Sequence, residues 1–282
     1  MVDTDDSRVS DETLIGRIAA GDPSSFDRLV RRHQAAVYRF ARAAVSGGAE
    51  EAGEILQETF RAVWRAAHRH RDEPSARPWL LALARQAIGR RNARSAEADL
   101  TPLRELARSA GWGSSGDELV GEDGRNMGRN MGQNNMEAAF AALPAADREI
   151  LTLCDREYFT VDETARVTGL ADAAVHTRLH RARLRLLARW APPAAARAHA
   201  EERVAAGLHC GEVLADLTEH LDGRLSRDRG QRLDEHLEEC AGCRHFESAV
   251  TAGVRALRQL PDEALPSEVE ESLLAMIKSA DG

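Results

Sequence analysis

Three cysteines and one histidine near the C-terminal end have the types and spacing of metal ligands. Cys210, His236, Cys240 and Cys243 form the pattern Cys-x25-His-x3-Cys-x2-Cys. A His and a Cys four residues apart share one face of a helix, and a Cys-x2-Cys step at a helix end lets both thiolates reach one ion. Tetrahedral His/Cys3 ligation leaves no position for a catalytic water, so the pattern predicts a structural zinc site.

Two other interpretations of the cysteines stay open. A thiolate-rich zinc site can lose its metal to a disulfide, so it could also respond to oxidation. Alternatively, the three thiols could be buried in a small helical core without metal. The fourth cysteine, Cys154, stands among Ile150, Leu151 and Leu153, and we interpret it as a small buried hydrophobe.

The net charge is unevenly distributed along the chain. The whole chain carries −8, but residues 201–282 hold 18 acids against 9 bases, a net of −9, which leaves +1 for residues 1–200. Residues 61–94 carry nine Arg against two acids, and residues 173–200 carry six Arg and no acid. Two basic blocks before an acidic one predict polyanion binding and a domain that competes for the same surfaces. Ordinary solvated helix faces are the alternative.

Apolar residues recur at three- and four-residue steps through most of the chain, which predicts an all-α fold. A Gly- and Asn-rich segment and a later Ala/Pro stretch predict linkers between three helical modules. The predicted boundaries are 10–108, a linker over 109–135, 136–190, a linker over 191–202, and 203–282. The acidic N-terminus and the lack of a long apolar run predict a cytoplasmic protein with no membrane contact.

The middle module has the pattern of a helix-turn-helix. Thr160 and Glu163 are spaced as a capping box, which begins a short helix through Val167. Gly169 permits a tight turn, and a longer basic helix follows from Asp172. In such motifs the second helix enters the DNA major groove. The DNA-contacting residues predicted on it are His176, Thr177, Arg178, Arg181 and Arg183.

Residues 142–183 resemble region 4 of bacterial extracytoplasmic-function sigma factors, most specifically in the final Arg-Leu-His-Arg-Ala-Arg run at 178–183. This resemblance implies that the second helix reads the −35 promoter element. The match covers about fifty residues, and the N-terminal module supplies its complement.

Residues 54–66 resemble the region 2 helix of the same family that docks on core RNA polymerase, and residues 77–87 resemble the next helix, which handles the melted −10 element. The resemblance implies polymerase contacts by Glu54, Gln57, Glu58 and Arg61. It implies DNA contacts by Arg71, Arg77, Arg85, Arg90 and Arg91. The sequence departs from the family at Gly53, where a charged residue is usual.

The zinc pattern, with Leu-Asp-Gly-Arg-Leu at 221–225 between the ligands, resembles the zinc-binding anti-sigma domain. That family is a small helical fold that blocks the polymerase contacts of a sigma factor. Helices are predicted over 209–221, 226–239, 241–259 and 266–280. The resemblance implies an intramolecular contact between this module and the sigma modules, which could inhibit or stabilise them.

The leading hypothesis is therefore a sigma factor that directs core RNA polymerase to promoter DNA, with a fused zinc module that regulates it in cis. The competing hypothesis is a one-component DNA-binding regulator that works without polymerase, with the zinc module as sensor or dimeriser. The region 2-like helices argue against that class. The sequence has no phosphate-binding glycine loop, nucleophile motif or open metal site, so we expect no enzyme activity.

Overall fold

The computed structural model describes residues 9–45, 48–72, 76–91, 133–190, 204–205 and 207–280. Most of the predicted linker over 109–135, and the linker over 191–202, lie outside these residues. None of the described helices combines the length and the apolar character that a bilayer span requires.

The fold is all-α, as the sequence predicts. The helices in the described residues are α1 (Asp11–Ala19), α2 (Pro23–Ala44), α3 (Gly48–Ala66), α4 (Ala76–Arg91), α5 (Gln133–Ala141), α6 (Ala145–Leu151), α7 (Val161–Thr168), α8 (Asp172–Trp190), α9 (Cys210–Leu221), α10 (Arg227–Glu239), α11 (Ala241–Arg258) and α12 (Ser267–Ala280). A 3-10 helix spans Ala67–Asp72, and a π-helical turn spans Thr152–Arg156. Two-residue strands, β1 (Val204–Ala205) and β2 (Leu208–His209), pair antiparallel.

Local capping chemistry sets several of these boundaries. The Thr160 hydroxyl accepts from the Glu163 backbone N–H, and the Glu163 carboxylate accepts from the Thr160 N–H, so the predicted capping box is confirmed. Gly169 ends α7 at φ +69°, a left-handed conformation that glycine adopts without steric cost. Asp22 caps α2, whose first residue is Pro23. The helix α5 begins at Gln133, three residues before the end of the expected linker.

The helices belong to two compact units. The first contains residues 1–96, 157–171 and 261–282, and therefore α1–α4, α7 and α12. Its core lies between α2, α3 and α4, where Phe26 meets Phe60 and Trp64 edge-to-face at centroid distances of 6.4 and 5.1 Å. In this unit α7 packs on α4, and α12 packs on α2 and α3.

The second unit contains residues 97–156 and 172–260. Its central element is α8, which contacts α5 and α6 as well as α9 and α11. A Cβ atom at Gly253 of α11 would lie 3.5 Å from the Trp190 ring, so these two helices approach closely. The second half of α8 is buried in this unit, since Leu184, Leu186 and Leu187 are all buried although they lie on different sides of the helix.

Candidate metal centre and nucleic-acid interface

The predicted metal ligands converge at one buried point of the second unit. Cys210 begins α9, His236 lies in the last turn of α10, and Cys243 lies in the first turn of α11. Cys240 is the residue between α10 and α11, with an extended backbone (φ −110°, ψ 97°). The helical path breaks at Cys240, and α11 begins in a new direction. The side chains of Cys240 and Cys243 therefore both point toward His236 and Cys210. Each ligand atom lies within 4.8 Å of the others.

The spacing of the ligand atoms fits tetrahedral zinc. Zinc–sulfur bonds of about 2.3 Å place the sulfurs of a regular tetrahedron about 3.8 Å apart. The Cys210 Sγ lies 4.0 Å from the Cys240 Sγ and 3.8 Å from the His236 Nε2. Burial raises the pKa of the Cys243 thiol, and the neighbouring Cys210 and Cys240 raise it further. A cation among these sulfurs would favour the thiolates that bind metal.

Apolar side chains enclose this centre. Val213 and Leu233 are buried in the same cluster as the three cysteines, and Leu225 and Leu237 pack on it. An ion pair between Arg229 Nε and Asp216 Oδ2, at 2.7 Å, joins α10 to α9 beside it. A closed donor set in an apolar shell is typical of a structural site rather than a catalytic one.

The exposed part of the recognition helix α8 is its N-terminal half. Thr177 is exposed, and His176, Arg178 and Arg181 are half-buried, so these four predicted DNA contacts retain accessible surface. His180, on the same helix, is buried. Burial, followed by the charges of Arg183 and Arg181, lowers the pKa of His180 to about 4, so the ring is neutral at neutral pH.

The fifth residue predicted on α8, Arg183, lies elsewhere: its side chain is only 3% exposed. Its Nη2 donates to Asp155 Oδ1 at 2.7 Å and to Asp222 Oδ1 at 2.8 Å. Burial alone would lower the pKa of Arg183, but Asp155 and Asp222 together raise it above its ordinary value. This buried position does not favour the expected DNA contact by Arg183. In this structure it is the centre of a buried ion-pair cluster, to which Arg258 also contributes.

The Arg residues predicted to contact DNA in the first unit have different surroundings. Arg77 bonds to Glu157 and places its guanidinium 5.4 Å from the centroid of the Phe159 ring. Arg85 is half-buried, and Arg90 is exposed and pairs with Glu58 at 3.0 Å. The side chains of Arg71 and Arg91 lie outside the described residues.

The residues predicted to bind polymerase lie along α3. Glu54 and Arg61 are exposed, Gln57 and Glu58 are half-buried, and Arg61 Nη2 donates to Gln57 Oε1 at 3.1 Å. The neighbouring Gly53 is buried beneath α12. A Cβ atom at Gly53 would lie 2.5 Å from Val269 Cγ2, so only glycine permits this approach without a shift of the Val269 side chain.

Sequence reasoning missed four acidic residues that pair with arginines of α2, α4 and α8: Glu157, Asp222, Asp262 and Glu263. Arg39 Nε donates to Glu157 Oε1 at 2.6 Å, and Arg42 Nε donates to Glu263 Oε2 at 2.8 Å. No spacing pattern marks these acids, because each pairs with a residue far along the chain. Only the acidic balance of residues 201–282 pointed to acids that could occupy basic surfaces.

Known protein families match three parts of the chain. Sigma-70 region 2 matches residues 29–96, and Sigma-70 region 4 matches residues 133–186. A zinc-finger family matches residues 210–244, which include all four predicted ligands. The region 2 match supports a sigma factor over a one-component regulator, which has no need of that domain.

Individual proteins are similar over the same segments. The RNA polymerase sigma factor NccH of Alcaligenes xylosoxydans xylosoxydans is 31% identical over 186 residues, which cover 63% of this chain and 93% of that protein. The ECF RNA polymerase sigma factor SigM of Mycobacterium tuberculosis is 27% identical over 177 residues, 63% of this chain and 83% of that protein. The solved structure of CnrH in complex with the cytosolic domain of CnrY is 24% identical, with a TM-score of 0.41, and covers 62% of this chain and 94% of that chain.

Sigma factors initiate transcription and are not catalytic enzymes. The two sigma-70 domains, in the order region 2 then region 4, together with these relatives, show that the chain belongs to the extracytoplasmic-function sigma factors of the sigma-70 family.

Proposed function

We propose that this sigma factor recruits core RNA polymerase to promoters in the cytoplasm, and that its C-terminal zinc module inhibits it in cis. The observation that carries the proposal is the packing of α12 on α3, the helix assigned to polymerase docking. Glu54, Gln57, Glu58 and Arg61 would bind polymerase. The exposed half of α8 would read the −35 element.

Zinc bound by Cys210, His236, Cys240 and Cys243 would supply a cross-link between α9 and the α10–α11 junction. The residues themselves do the rest: they fix the start of α9 against the end of α10, and the apolar shell excludes water. The helix bounds of this module agree with the sequence prediction to within one residue. The bound metal would thus hold α9, α10 and α11 together as one rigid module.

The contacts of α12 and the segment before it support inhibition. Val269 fills the space above Gly53, and Asp262 and Glu263 pair with Arg39 and Arg42 of α2. Tethering on one chain gives an effective concentration near ~1 mM. A contact with a dissociation constant of about 0.1 mM would therefore keep about 90% of the molecules closed.

A second contact lies in the other compact unit. Asp222, in the segment between the zinc ligands, bonds to Arg183 of α8 at 2.8 Å. Trp190 and Leu187 of α8 pack close to Gly253 of α11. The zinc module thus has contacts on the helix assigned to the −35 element, and these support regulation of region 4 as well as region 2.

Deletion of residues 203–282 is expected to increase run-off transcription with core polymerase by about tenfold, as the closed fraction estimated above implies. Hydrogen exchange of α8 in the truncated chain checks that region 4 remains folded. Unchanged or reduced transcription from a folded truncated chain would contradict inhibition and favour a stabilising role.

Gly53→Ala tests the same proposal in the full-length chain. The new Cβ must displace Val269, and overpacking of this kind costs about 1–3 kcal/mol. We expect polymerase affinity and transcription to rise roughly tenfold, because undocking of α12 exposes α3.

Gly16→Ala is the matched control, because it makes the same helical substitution where a Cβ meets nothing within 4 Å. Both variants gain about 1 kcal/mol of helix propensity, so only the difference between them reports on docking. Val269→Ala in the Gly53→Ala background should restore part of the inhibition. Equal behaviour of the two alanine variants would exclude α12 as the inhibitory element.

A further inference from the structure

Glu157 is a buried carboxylate held by two arginines of region 2. Its side chain has no exposed surface. Arg39 of α2 donates to one of its oxygens at 2.6 Å, and Arg77 of α4 donates to the other. Glu157 itself belongs to region 4, four residues before α7 begins. Charge-assisted bonds of this kind are about twice as strong as neutral ones.

The residues after Glu157 reinforce this attachment. Phe159 is buried and lies beneath the Arg77 guanidinium, with 5.4 Å between the guanidinium carbon and the ring centroid. Tyr158, between them, is exposed and has φ +58°, a left-handed conformation that is costly for a residue other than glycine. This strained conformation at Tyr158 allows the side chains of Glu157 and Phe159, on either side of it, to be buried. The helix α7 that follows packs on α4.

This attachment is incompatible with simultaneous binding of both promoter elements. The −10 and −35 elements are about 25 base pairs apart, which is roughly 85 Å at 3.4 Å per base pair. Region 2 and region 4 cannot share hydrogen bonds across that distance. Glu157 must therefore leave Arg39 and Arg77 when the protein engages a promoter.

We propose that Glu157 is a latch that keeps the start of region 4 on region 2 and competes with promoter phosphate for Arg77. The inference rests on the proposed function, in that regions 2 and 4 are taken to bind separate promoter elements. Arg39 connects the latch to the C-terminal segment, because the same guanidinium also bonds to Asp262. Release of that segment would remove one of the two acids that orient Arg39 and would weaken the latch.

The test uses the full-length zinc-loaded protein and compares Glu157→Gln with Asp162→Asn. Both changes replace a carboxylate by its amide, but Asp162 is exposed and pairs within α7, with Arg166. Glu157→Gln should speed hydrogen exchange in α7, tighten binding to a single-stranded −10 oligonucleotide and raise run-off transcription roughly tenfold, since two charge-assisted bonds are lost. Asp162→Asn should leave all three unchanged.

Unaltered exchange in α7 would overturn the latch, and so would faster exchange without any gain in DNA binding. If Glu157→Gln does not fold, Arg39→Gln is compared with Asp262→Asn, because both remove the bond between Arg39 and Asp262 but only Arg39→Gln also removes the bond to Glu157. Gly53→Ala measured in parallel separates the two proposals. If transcription rises with Gly53→Ala but not with Glu157→Gln, the latch proposal alone is refuted. If it rises with Glu157→Gln but not with Gly53→Ala, inhibition by α12 alone is refuted.

Discussion

His236→Ala is expected to abolish zinc binding and to unfold the module around α9, α10 and α11. His236 is completely buried, and its Nε2 lies 3.8 Å from the Cys210 Sγ. The apolar cluster around these four residues is small, so we expect the folding of the module to depend on bound zinc. Structural zinc contributes about 10–16 kcal/mol to the folding of such units. Metal analysis by mass spectrometry should fall from one zinc per chain to none, and hydrogen exchange should lose its protection in all three helices.

Two control variants separate ligation from general perturbation. His209 is exposed and adjacent to Cys210, so His209→Ala removes an imidazole near the site without removing a ligand. Cys154 is the buried cysteine of the π-helical turn, so Cys154→Ala removes a thiol away from the site. Both should retain one zinc. Retention of zinc by His236→Ala would contradict the assignment of His236 as a ligand. Loss of zinc from either control variant would contradict the conclusion that Cys210, His236, Cys240 and Cys243 are the complete ligand set.

Loss of the zinc module should also change transcription. An unfolded module cannot hold Asp222 at Arg183. We therefore expect His236→Ala to raise transcription as the deletion of residues 203–282 does. The two variants test the same inhibition from independent starting points.

The features that the sequence predicted correctly depend on short-range physics. The Thr160–Glu163 capping box, the Gly169 turn and the helix bounds of the zinc module follow from groups within a few residues of one another. The convergence of the four expected ligand side chains was predictable for the same reason, since His236, Cys240 and Cys243 lie within eight positions and only Cys210 is distant. In patterns of this length, the local backbone conformation alone fixes the relative positions of the side chains.

Arg183 shows where such reasoning stops. Its place in a basic run suggested an exposed face, yet the burial of Leu184, Leu186 and Leu187 leaves no solvent-facing side on this part of α8. Arg185 is likewise buried and pairs with Asp147 at 2.6 Å. Consecutive apolar residues around both arginines were a signal of burial, but their partners are 28 to 39 positions away and no local pattern identifies them.

Gly53 shows a different limit. The sequence marks it as a departure from the family, but gives no reason for the small side chain. The reason is a neighbour more than 200 positions away, since Val269 occupies the place that a Cβ would take. A local anomaly was visible, whereas its cause depends on tertiary packing.

Asp155→Asn is expected to cause the largest loss of stability in region 4. The Asp155 carboxylate is fully buried and accepts two bonds from Arg183, from Nε at 3.1 Å and from Nη2 at 2.7 Å. Removing one partner of a buried pair costs about 3–5 kcal/mol, and here it leaves the buried Arg183 charge to the partly exposed Asp222. The free energy of local opening of α8, measured by hydrogen exchange, should fall by about this amount.

Asp222→Asn is the matched control on the other side of the same guanidinium. Asp222 is 20% exposed, so water can replace much of its bond to Arg183, and we expect a loss of about 1 kcal/mol or less. Arg183→Met combined with Asp155→Asn should recover most of the stability, because no charge is then buried alone. A small effect of Asp155→Asn with a large one of Asp222→Asn would reverse this order. It would mean that the zinc module, rather than region 4 itself, holds the arginine of the recognition helix in place.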